Sequence, residues 1–309
     1  MFKKLLAKLG KGSATIDLQI DRSKVSAGEI ISGQIHIKGG EVNQEINGID
    51  VDLEMEVVTK KGDRITRKIA GIPVTNSFLI HSKEEKIFPF TFNLSNNYAI
   101  SSNSVSYFFH SNLDIEGGFD RKDNDSFVIL PSKNVRNIFS ALERLGFREK
   151  STSGEIDRYG QEFHFFPTTI FNREISELEL RFADETEGLR IWIELDCRTA
   201  FGEIEARREL YLTTIELADI NKLSQRLKEL LEETEFNPNN YVHPHSYKQE
   251  PDYQNKVIGN PLTSMVGSLA VGLLGGMLLE EVLVSNEIDE MMGDASDLVG
   301  DIGFFGEEE

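Results

Sequence analysis

The residues best suited to chemistry in this 309-residue chain are its histidines and several groups of acidic residues. His243 and His245 stand two residues apart in VHPHSY, where no cysteine is close. A zinc-type site needs three or four ligands at a defined spacing, and two imidazoles alone do not supply them. The sequence therefore predicts no metal site and no cofactor. The composition of the stretch around the two histidines instead predicts a linker.

A second group of candidate ligands is Asp120, Asp123 and Asp125 in the stretch FDRKDNDS. A calcium-binding loop of the EF-hand type also requires a central glycine and a terminal glutamate, and this stretch has neither. The pattern instead predicts a solvated hairpin turn.

The remaining histidines lie on predicted strands or loops and have no serine–glycine elbow or other paired nucleophile beside them. They are His36, His81, His110 and His164. The single cysteine, Cys197, follows an apolar strand pattern, which predicts a packing residue and excludes an internal disulfide. These observations predict no catalytic residue.

Alternating acids could supply the paired carboxylates of a glycoside hydrolase. The acids run from Asp50 to Glu56, and a second pair is Glu177 with Glu179. Such alternation on a strand is typical of the solvated face of a sheet. The sequence thus favours a protein that is not an enzyme, and a hydrolase that uses sheet-face carboxylates remains a third hypothesis.

The elements that would carry these residues begin with strands. From Ala14 to about Leu130 apolar residues recur with period two, as in half-buried strands whose successive side chains point to opposite faces. In NGIDVDLEMEVVT the apolar positions start at Ile49 and the acids fill the other face. Several such segments, separated by Gly, Asn, Ser and Asp, predict an antiparallel β-sandwich domain over residues 14–131.

A second β-rich domain with flanking helices is predicted over residues 132–236. NVRNIFSALERLGF has helical spacing, with Asn134 as the expected N-cap and Gly146 as the C-terminal stop. Strand patterns return in QEFHFFP, ISELELRF and LRIWIEL, and ADINKLSQRLKELLEE predicts a closing helix. The predicted class is all-β dominated: two antiparallel β-sandwich domains, a connecting helix, a C-terminal helix and a low-complexity tail.

Residues 237–309 form the predicted tail, which is acidic and flexible and contains a glycine-rich apolar segment. From residue 241 onward there are 13 acidic residues against 2 lysines, so 11 of the chain's 19 net negative charges lie there. The net charge of −19 argues against nucleic acid as a partner, because phosphate binding needs clustered Lys and Arg.

The N-terminal segment, residues 1–13, is basic and amphipathic in this otherwise acidic chain. Its candidate membrane contacts are Phe2, Lys3, Lys4, Leu5 and Lys8. Such a segment could lie weakly on an anionic membrane, or its apolar side could dock on the sandwich. It lacks the continuous apolar core of a secretory signal, so the sequence predicts a cytoplasmic protein that could associate with a membrane.

The uncharged run from Val257 to Leu279 carries small residues at every fourth position. This strip consists of Ser264, Ser268, Gly272 and Gly276. Small residues at this spacing allow two helices to approach closely, which favours self-association or binding of a partner helix. A flexible tail and a membrane span are the alternatives for this run.

Several motifs resemble the arrestin-like fold. They are the Gly28-Glu29 turn, a mid-strand Gly33, the FPFTFNL stretch, and SVSYFFHSNLDIEGGFD. More closely, residues 1 to about 235 resemble the bacterial sporulation-control protein family of the stage zero protein M type, through FKKLL, a helix ending in Leu-Gly-Phe, and the pair QEFHFFP and SELELRF. This resemblance implies two arrestin-like sandwich domains and a non-enzymatic regulatory protein or scaffold that works through protein–protein contacts.

The predicted function is therefore regulation or scaffolding through protein partners whose identity the sequence does not reveal. The alternative is a peripheral membrane adaptor, docked by the basic N-terminal segment and the apolar segment of the tail. Self-association through the tail is a further prediction.

Overall fold

The computed structural model describes residues 12–59, 61–157 and 159–246. Its first half consists of strands joined by turns. They are β1 (Thr15–Ile20), β2 (Lys24–Ser26), β3 (Ile30–Lys38), β4 (Gln44–Val58), β5 (Arg64–Thr75), β6 (Phe78–Ile80), β7 (Glu85–Asn93), β8 (Val105–Ile115) and β9 (Arg121–Leu130).

These strands form two facing sheets, the N-terminal sandwich. The smaller sheet has the order β1-β3-β7, and the larger has the order β2-β9-β8-β4-β5, with β6 also paired to β4. Apolar residues of alternating positions fill the space between them; the rings of Phe90 on β7 and Phe109 on β8 meet edge to face, with centroids 5.1 Å apart. The predicted first sandwich is confirmed.

The glycines of the stretch SAGEIISGQIHIKG have clear structural roles. Gly28 has φ +83°, a left-handed turn conformation that favours glycine. Gly33 lies in β3 between Ile20 and Phe90 of the neighbouring strands. A Cβ at Gly33 would lie 2.3 Å from the Gln19 carbonyl oxygen, so the backbone of β1 leaves no room for a side chain at this position.

The hairpin turn predicted at FDRKDNDS is wrong for most of the stretch: the loop between β8 and β9 contains Asp120, but strand β9 begins at Arg121. Asp123 and Asp125 lie within strand β9, where they pair with Ser111 and Phe109 of β8. The Asp123 carboxylate accepts a hydrogen bond of 2.9 Å from the Leu18 amide of β1. It thus joins the exposed edge of the smaller sheet to the larger one.

The second half combines one sheet with helices. The strands are β10 (Phe147–Glu149), β11 (Glu155–Asp157), β12 (Gly160–Pro167), β13 (Ile175–Glu185), β14 (Gly188–Thr199) and β15 (Gly202–Thr213). The helices are α1 (Lys133–Arg144), α2 (Thr214–Ala218) and α3 (Ile220–Phe236), followed by a 3₁₀ turn at Pro238–Tyr241. We call the sheet, with the order β10-β12-β13-β14-β15 and β11 paired to β12, the C-terminal sheet.

The apolar face of the C-terminal sheet packs against α1 and α3. Phe139 of α1 contacts Phe163 and Phe182, with ring centroids 5.3 and 5.9 Å apart. The mostly β class with antiparallel sheets is confirmed, and in this half helices supply the layer opposite the sheet. They do so because both helices have a buried apolar stripe that matches the apolar face of the sheet.

The N-cap of the connecting helix lies two residues before the predicted one. Ser132, not Asn134, is the N-cap, and its Oγ accepts a hydrogen bond from the Val135 amide at 3.4 Å. The predicted stop is confirmed, since Gly146 follows the helix with φ +84°.

The two halves contact each other through loops and side chains. The Gln161 side chain of β12 binds both backbone groups of Ile100, accepting from its amide and donating to its carbonyl oxygen at 2.7 Å each. The Ser102 hydroxyl donates to the Gly154 carbonyl oxygen at 2.9 Å. The hydrophobic clusters of the two halves are separate, and the predicted domain boundaries stay predictions.

Residues beyond α3 contact the C-terminal sheet up to Ser246, the last described residue. His245 is 3% exposed, and Ser246 donates its amide to the Glu209 carboxylate at 2.6 Å. The Trp192 indole N–H donates to the Ser246 hydroxyl at 3.3 Å. This part of the predicted tail is therefore packed on the sheet, whereas the sequence predicted a linker at this place.

The predicted membrane contacts at Phe2, Lys3, Lys4, Leu5 and Lys8 lie outside the described residues, as does the small-residue strip at Ser264, Ser268, Gly272 and Gly276. Both stay predictions. Among the described residues, no helix has the length and apolarity that crossing a bilayer requires.

Candidate functional site

The C-terminal sheet has a second face, opposite the helices, which we call the charged face. Directly paired residues in an antiparallel sheet point to the same side, so the register defines rows of side chains across the strands. The rows are His164, Glu179, Glu194 and Arg207; Glu177, Asp196 and Glu205; and Arg181, Trp192 and Glu209. Most of these side chains carry a charge, which distinguishes this face from the apolar one.

Acidic residues stand directly opposite each other on this face. Glu177 pairs with Asp196, Asp196 with Glu205, and Glu179 with Glu194. Like charges in such positions destabilise a sheet. Burial, together with repulsion from Glu179 and Glu177, raises the pKa of Asp196 to about 6. The charged face therefore has an excess of negative charge at its centre.

One arginine relieves part of this repulsion near the outer strand. The Arg207 guanidinium lies 2.8 Å from the Glu194 carboxylate and also contacts Glu205. A hydrogen bond shared with Glu194 nevertheless raises the pKa of Glu205. Glu205 is exposed, so its carboxylate is accessible from solvent.

His164 lies at the centre of a group of carboxylates on β12 and β13. Its Nδ1 is 3.0 Å from Glu177 Oε1 and 3.1 Å from Glu179 Oε1, and its Nε2 is 3.6 Å from Glu162 Oε2. The hydrogen bond to Glu179 is the main reason that the pKa of His164 is raised, and burial opposes it. The imidazolium form is thus favoured while no other cation is present.

Two basic residues contact the carboxylate oxygens of Glu177 and Glu162 that do not face His164. Lys150 contacts Oε2 of Glu177, and the buried Arg181 lies 2.8 Å from Oε1 of Glu162. Arg181 also forms a bidentate pair with Asp157, at 2.9 and 2.8 Å. Burial raises the pKa of Glu162 although Arg181 opposes the shift. Each carboxylate therefore keeps its other oxygen directed toward His164.

The other predicted candidates are not brought together with this group. His110 contacts Glu54 at 3.0 Å in the N-terminal sandwich, and His243 is exposed. His245 faces Glu194 and Glu209, at 4.0 and 3.8 Å. His243 and His245 thus occupy different environments despite their closeness in sequence.

Cys197 is buried on the apolar face of the C-terminal sheet, so its predicted role in packing is confirmed. Burial raises the pKa of its thiol to about 11. A thiol with such a pKa is mostly protonated near neutrality and is a poor nucleophile.

The sequence pattern identified Glu177 with Glu179 as a possible pair of carboxylates on a strand, and His164 as a strand histidine without a paired nucleophile. It missed Lys150, Arg181 and Glu162, which complete the group. The available signal was the alternation in QEFHFFP and SELELRF, which places Glu162 and Arg181 opposite the apolar face; Lys150 lies in neither stretch. The register between the two strands, His164 with Glu179, was not contained in that signal.

The chain is similar to known proteins over most of its length. A model of the SpoOM protein family matches residues 2–199. The sporulation-control protein spo0M of Bacillus subtilis (strain 168) is 34% identical over 252 residues, which covers 75% of this chain and 98% of that protein. Part of this chain therefore lies outside that alignment.

A solved structure supports the same relationship. The crystal structure of the sporulation control protein Spo0M from Bacillus subtilis matches with a TM-score of 0.61 at 31% identity, and covers 72% of this chain and 99% of that one. This similarity confirms the predicted resemblance and is consistent with an arrestin-like β-sandwich fold. The chain belongs to the SpoOM family of sporulation-control proteins.

Proposed function

We propose that this chain is a non-enzymatic regulatory protein that acts by binding other proteins, and that its charged face is the docking surface. Membership in a sporulation-control family supports the regulatory role. The assignment of the charged face as the docking surface rests on the acids that stand opposite each other across β13, β14 and β15.

The charge of this face indicates the chemistry of the partner. Glu177, Asp196 and Glu205 form a continuous acidic row, and the opposed acids Glu179 and Glu194 lie beside it. A partner segment rich in Lys and Arg would relieve their mutual repulsion on binding. Complementary charge also accelerates encounter and makes it sensitive to salt. We therefore propose a partner with a basic segment.

The non-enzymatic role is supported by the state of the reactive groups. The Cys197 thiol is buried with a raised pKa, and the carboxylates of Glu177 and Glu162 are held by Lys150 and Arg181. A glycoside hydrolase would need an acid and a base that face a substrate cleft. The acids in these pairs serve as ion-pair partners within the sheet.

The test compares two double variants of the full chain that remove the same charge. Asp196→Asn with Glu205→Gln removes two carboxylates of the charged face, and Glu229→Gln with Glu232→Gln removes two exposed carboxylates of α3. Proteins that bind the wild type are recovered from native cells, identified, purified, and their affinities for the three chains are measured. We expect binding that weakens at least about tenfold in the first variant and with added salt, and that persists in the second. Equal affinity of all three chains would reject the charged face as the docking surface.

A peripheral membrane adaptor is the second candidate function, and the basic N-terminal segment favours it. Lys3, Lys4 and Lys8 accompany Phe2 and Leu5 in a chain that is otherwise acidic. We expect salt-sensitive sedimentation with anionic vesicles, lost when the three lysines are changed to glutamate. No sedimentation of the intact chain would contradict this function.

A further inference from the structure

We propose that Glu162, His164 and Glu179 bind one divalent transition-metal ion on the charged face. One ligand atom from each of these residues lies within 4.8 Å of the others, close enough to surround a single ion. Imidazole combined with carboxylates is a donor set that suits Zn²⁺, Mn²⁺ and Co²⁺. The inference does not depend on the proposed docking function.

The surroundings of His164 orient it as a metal ligand. For Nε2 to bind an ion, Nδ1 must carry the hydrogen, which it donates to Glu177 Oε1 at 3.0 Å and to Glu179 Oε1 at 3.1 Å; the Nε2 lone pair is then directed toward Glu162 Oε2 at 3.6 Å. A ligating histidine usually donates its other N–H to a carboxylate or carbonyl, which fixes the tautomer and the ring orientation. Lys150 holds Glu177 in place from the opposite side.

Arg181 has the equivalent role for Glu162. It contacts Oε1 at 2.8 Å, and Oε2 is then 3.6 Å from His164 Nε2. Arg181 is 5% exposed, so this anchor is rigid and removed from solvent. The ligand oxygen is therefore positioned before any ion arrives.

The strand register brings the third ligand into place. Glu179 pairs directly with His164 across β12 and β13, and it also stands opposite Glu194. The excess negative charge around Glu179 attracts a cation.

The chain contains a matched control for the site. His110 Nε2 lies 3.0 Å from Glu54 on the N-terminal sandwich, so it forms a histidine–glutamate pair on a sheet face. Among the described residues, the group that includes Glu162, His164 and Glu179 has three converging ligands, and the His110 pair belongs to no such group. A His110→Ala variant removes an imidazole without touching the proposed site.

The experiment is a calorimetric titration of Zn²⁺ into the full chain, freed of metal by chelator and dialysis. We expect one site with micromolar affinity or tighter, weakened at least about tenfold by His164→Ala and by the near-isosteric Glu179→Gln. Glu177→Gln should weaken it about tenfold through the orientation of His164, and His110→Ala should leave it unchanged.

Circular dichroism of each variant checks that the fold is retained, and Glu179→Gln preserves the test if His164→Ala fails to fold. The proposal is overturned if the wild type takes up no Zn²⁺, or if folded Glu179→Gln binds Zn²⁺ as the wild type does. The experiment measures metal binding alone. Its result therefore stands even if the partner assay rejects the charged face as a docking surface.

Discussion

At the scale of single residues, Asp125 shows how a strand can carry a poorly accommodated charge. Its Oδ2 is buried and has no hydrogen-bond partner among the described residues. Burial is the main cause that raises the pKa of Asp125 to about 7, and repulsion from Asp123 and Asp17 adds to it. In the unfolded chain an aspartate has a pKa near 3.9.

The folded state therefore binds a proton at Asp125 between about pH 4 and pH 7 that the unfolded state has lost. Its contribution to stability is fully present below pH 4 and is lost as the pH rises through 7. We expect Asp125→Asn to raise the free energy of unfolding by about 1 kcal/mol at pH 8, allowing for solvent screening, and to have little effect at pH 4.

Thermal unfolding of the variant and the wild type at both pH values measures this effect. Asp120→Asn, at an exposed position just before the same strand, serves as the control. It should not change the unfolding temperature at either pH. A stabilisation by Asp125→Asn that is equal at pH 4 and pH 8 would contradict the role of its charge.

At the scale of elements, β3 depends on the missing side chain of Gly33. β3 is the central strand of the smaller sheet and pairs with β1 and β7. A Cβ there would meet the backbone of β1, with 2.3 Å to the Gln19 carbonyl oxygen and 2.9 Å to Ile20 Cα. The backbone of β1 cannot move away as a flexible side chain would, so one of the two strands must shift.

We expect Gly33→Ala to lower the free energy of unfolding by about 1–3 kcal/mol through this overpacking. Gly48→Ala is the matched substitution, because Gly48 is also a strand glycine and its nearest contact would be Thr75 O at 3.3 Å. It should cost less than about 1 kcal/mol. Urea unfolding followed by circular dichroism compares the two, and equal losses would refute the packing argument.

At the scale of the whole molecule, Gln161 joins the two halves. Its side chain forms two hydrogen bonds with the backbone of Ile100 and a third with the Gly154 carbonyl oxygen, at 2.9 Å. Ile100 also packs against the hydrophobic cluster of the second half, while Ile156 packs against that of the first. The halves are therefore joined by specific hydrogen bonds and by these two isoleucine side chains.

Replacing Gln161 by alanine should release the Ile100 amide, since each lost hydrogen bond contributes about 1 kcal/mol. We expect its hydrogen exchange to accelerate at least about tenfold, with smaller changes at amides inside both cores. Gln225→Ala removes an exposed glutamine of α3 that bonds Glu229, and it should leave Ile100 unaffected. An unchanged exchange rate at Ile100 in the Gln161 variant would show that the side chain does not hold the halves together.

The amino-acid sequence by itself determined the period of the clearest strands and of helices α1 and α3, and which side of each is buried. Val51, Leu53 and Met55 alternate with acids, and all three are fully buried in β4. Ile138 and Leu142 have helical spacing and face the core from α1. Such faces are predictable because burial of apolar area acts on the local period of 2 or 3.6 residues.

Only the tertiary structure decided which residues meet across the elements. Leu18 and Asp123 are 105 residues apart in the chain, and His164 and Glu177 are 13 apart, yet each pair is in hydrogen-bond contact. The register between strands, the helical layer over the C-terminal sheet and the burial of His245 depend on how separate elements pack. A local period identifies the inward face of each strand, but it does not contain the alignment of one strand against the next, because shape and hydrogen bonding of the assembled sheet select that alignment.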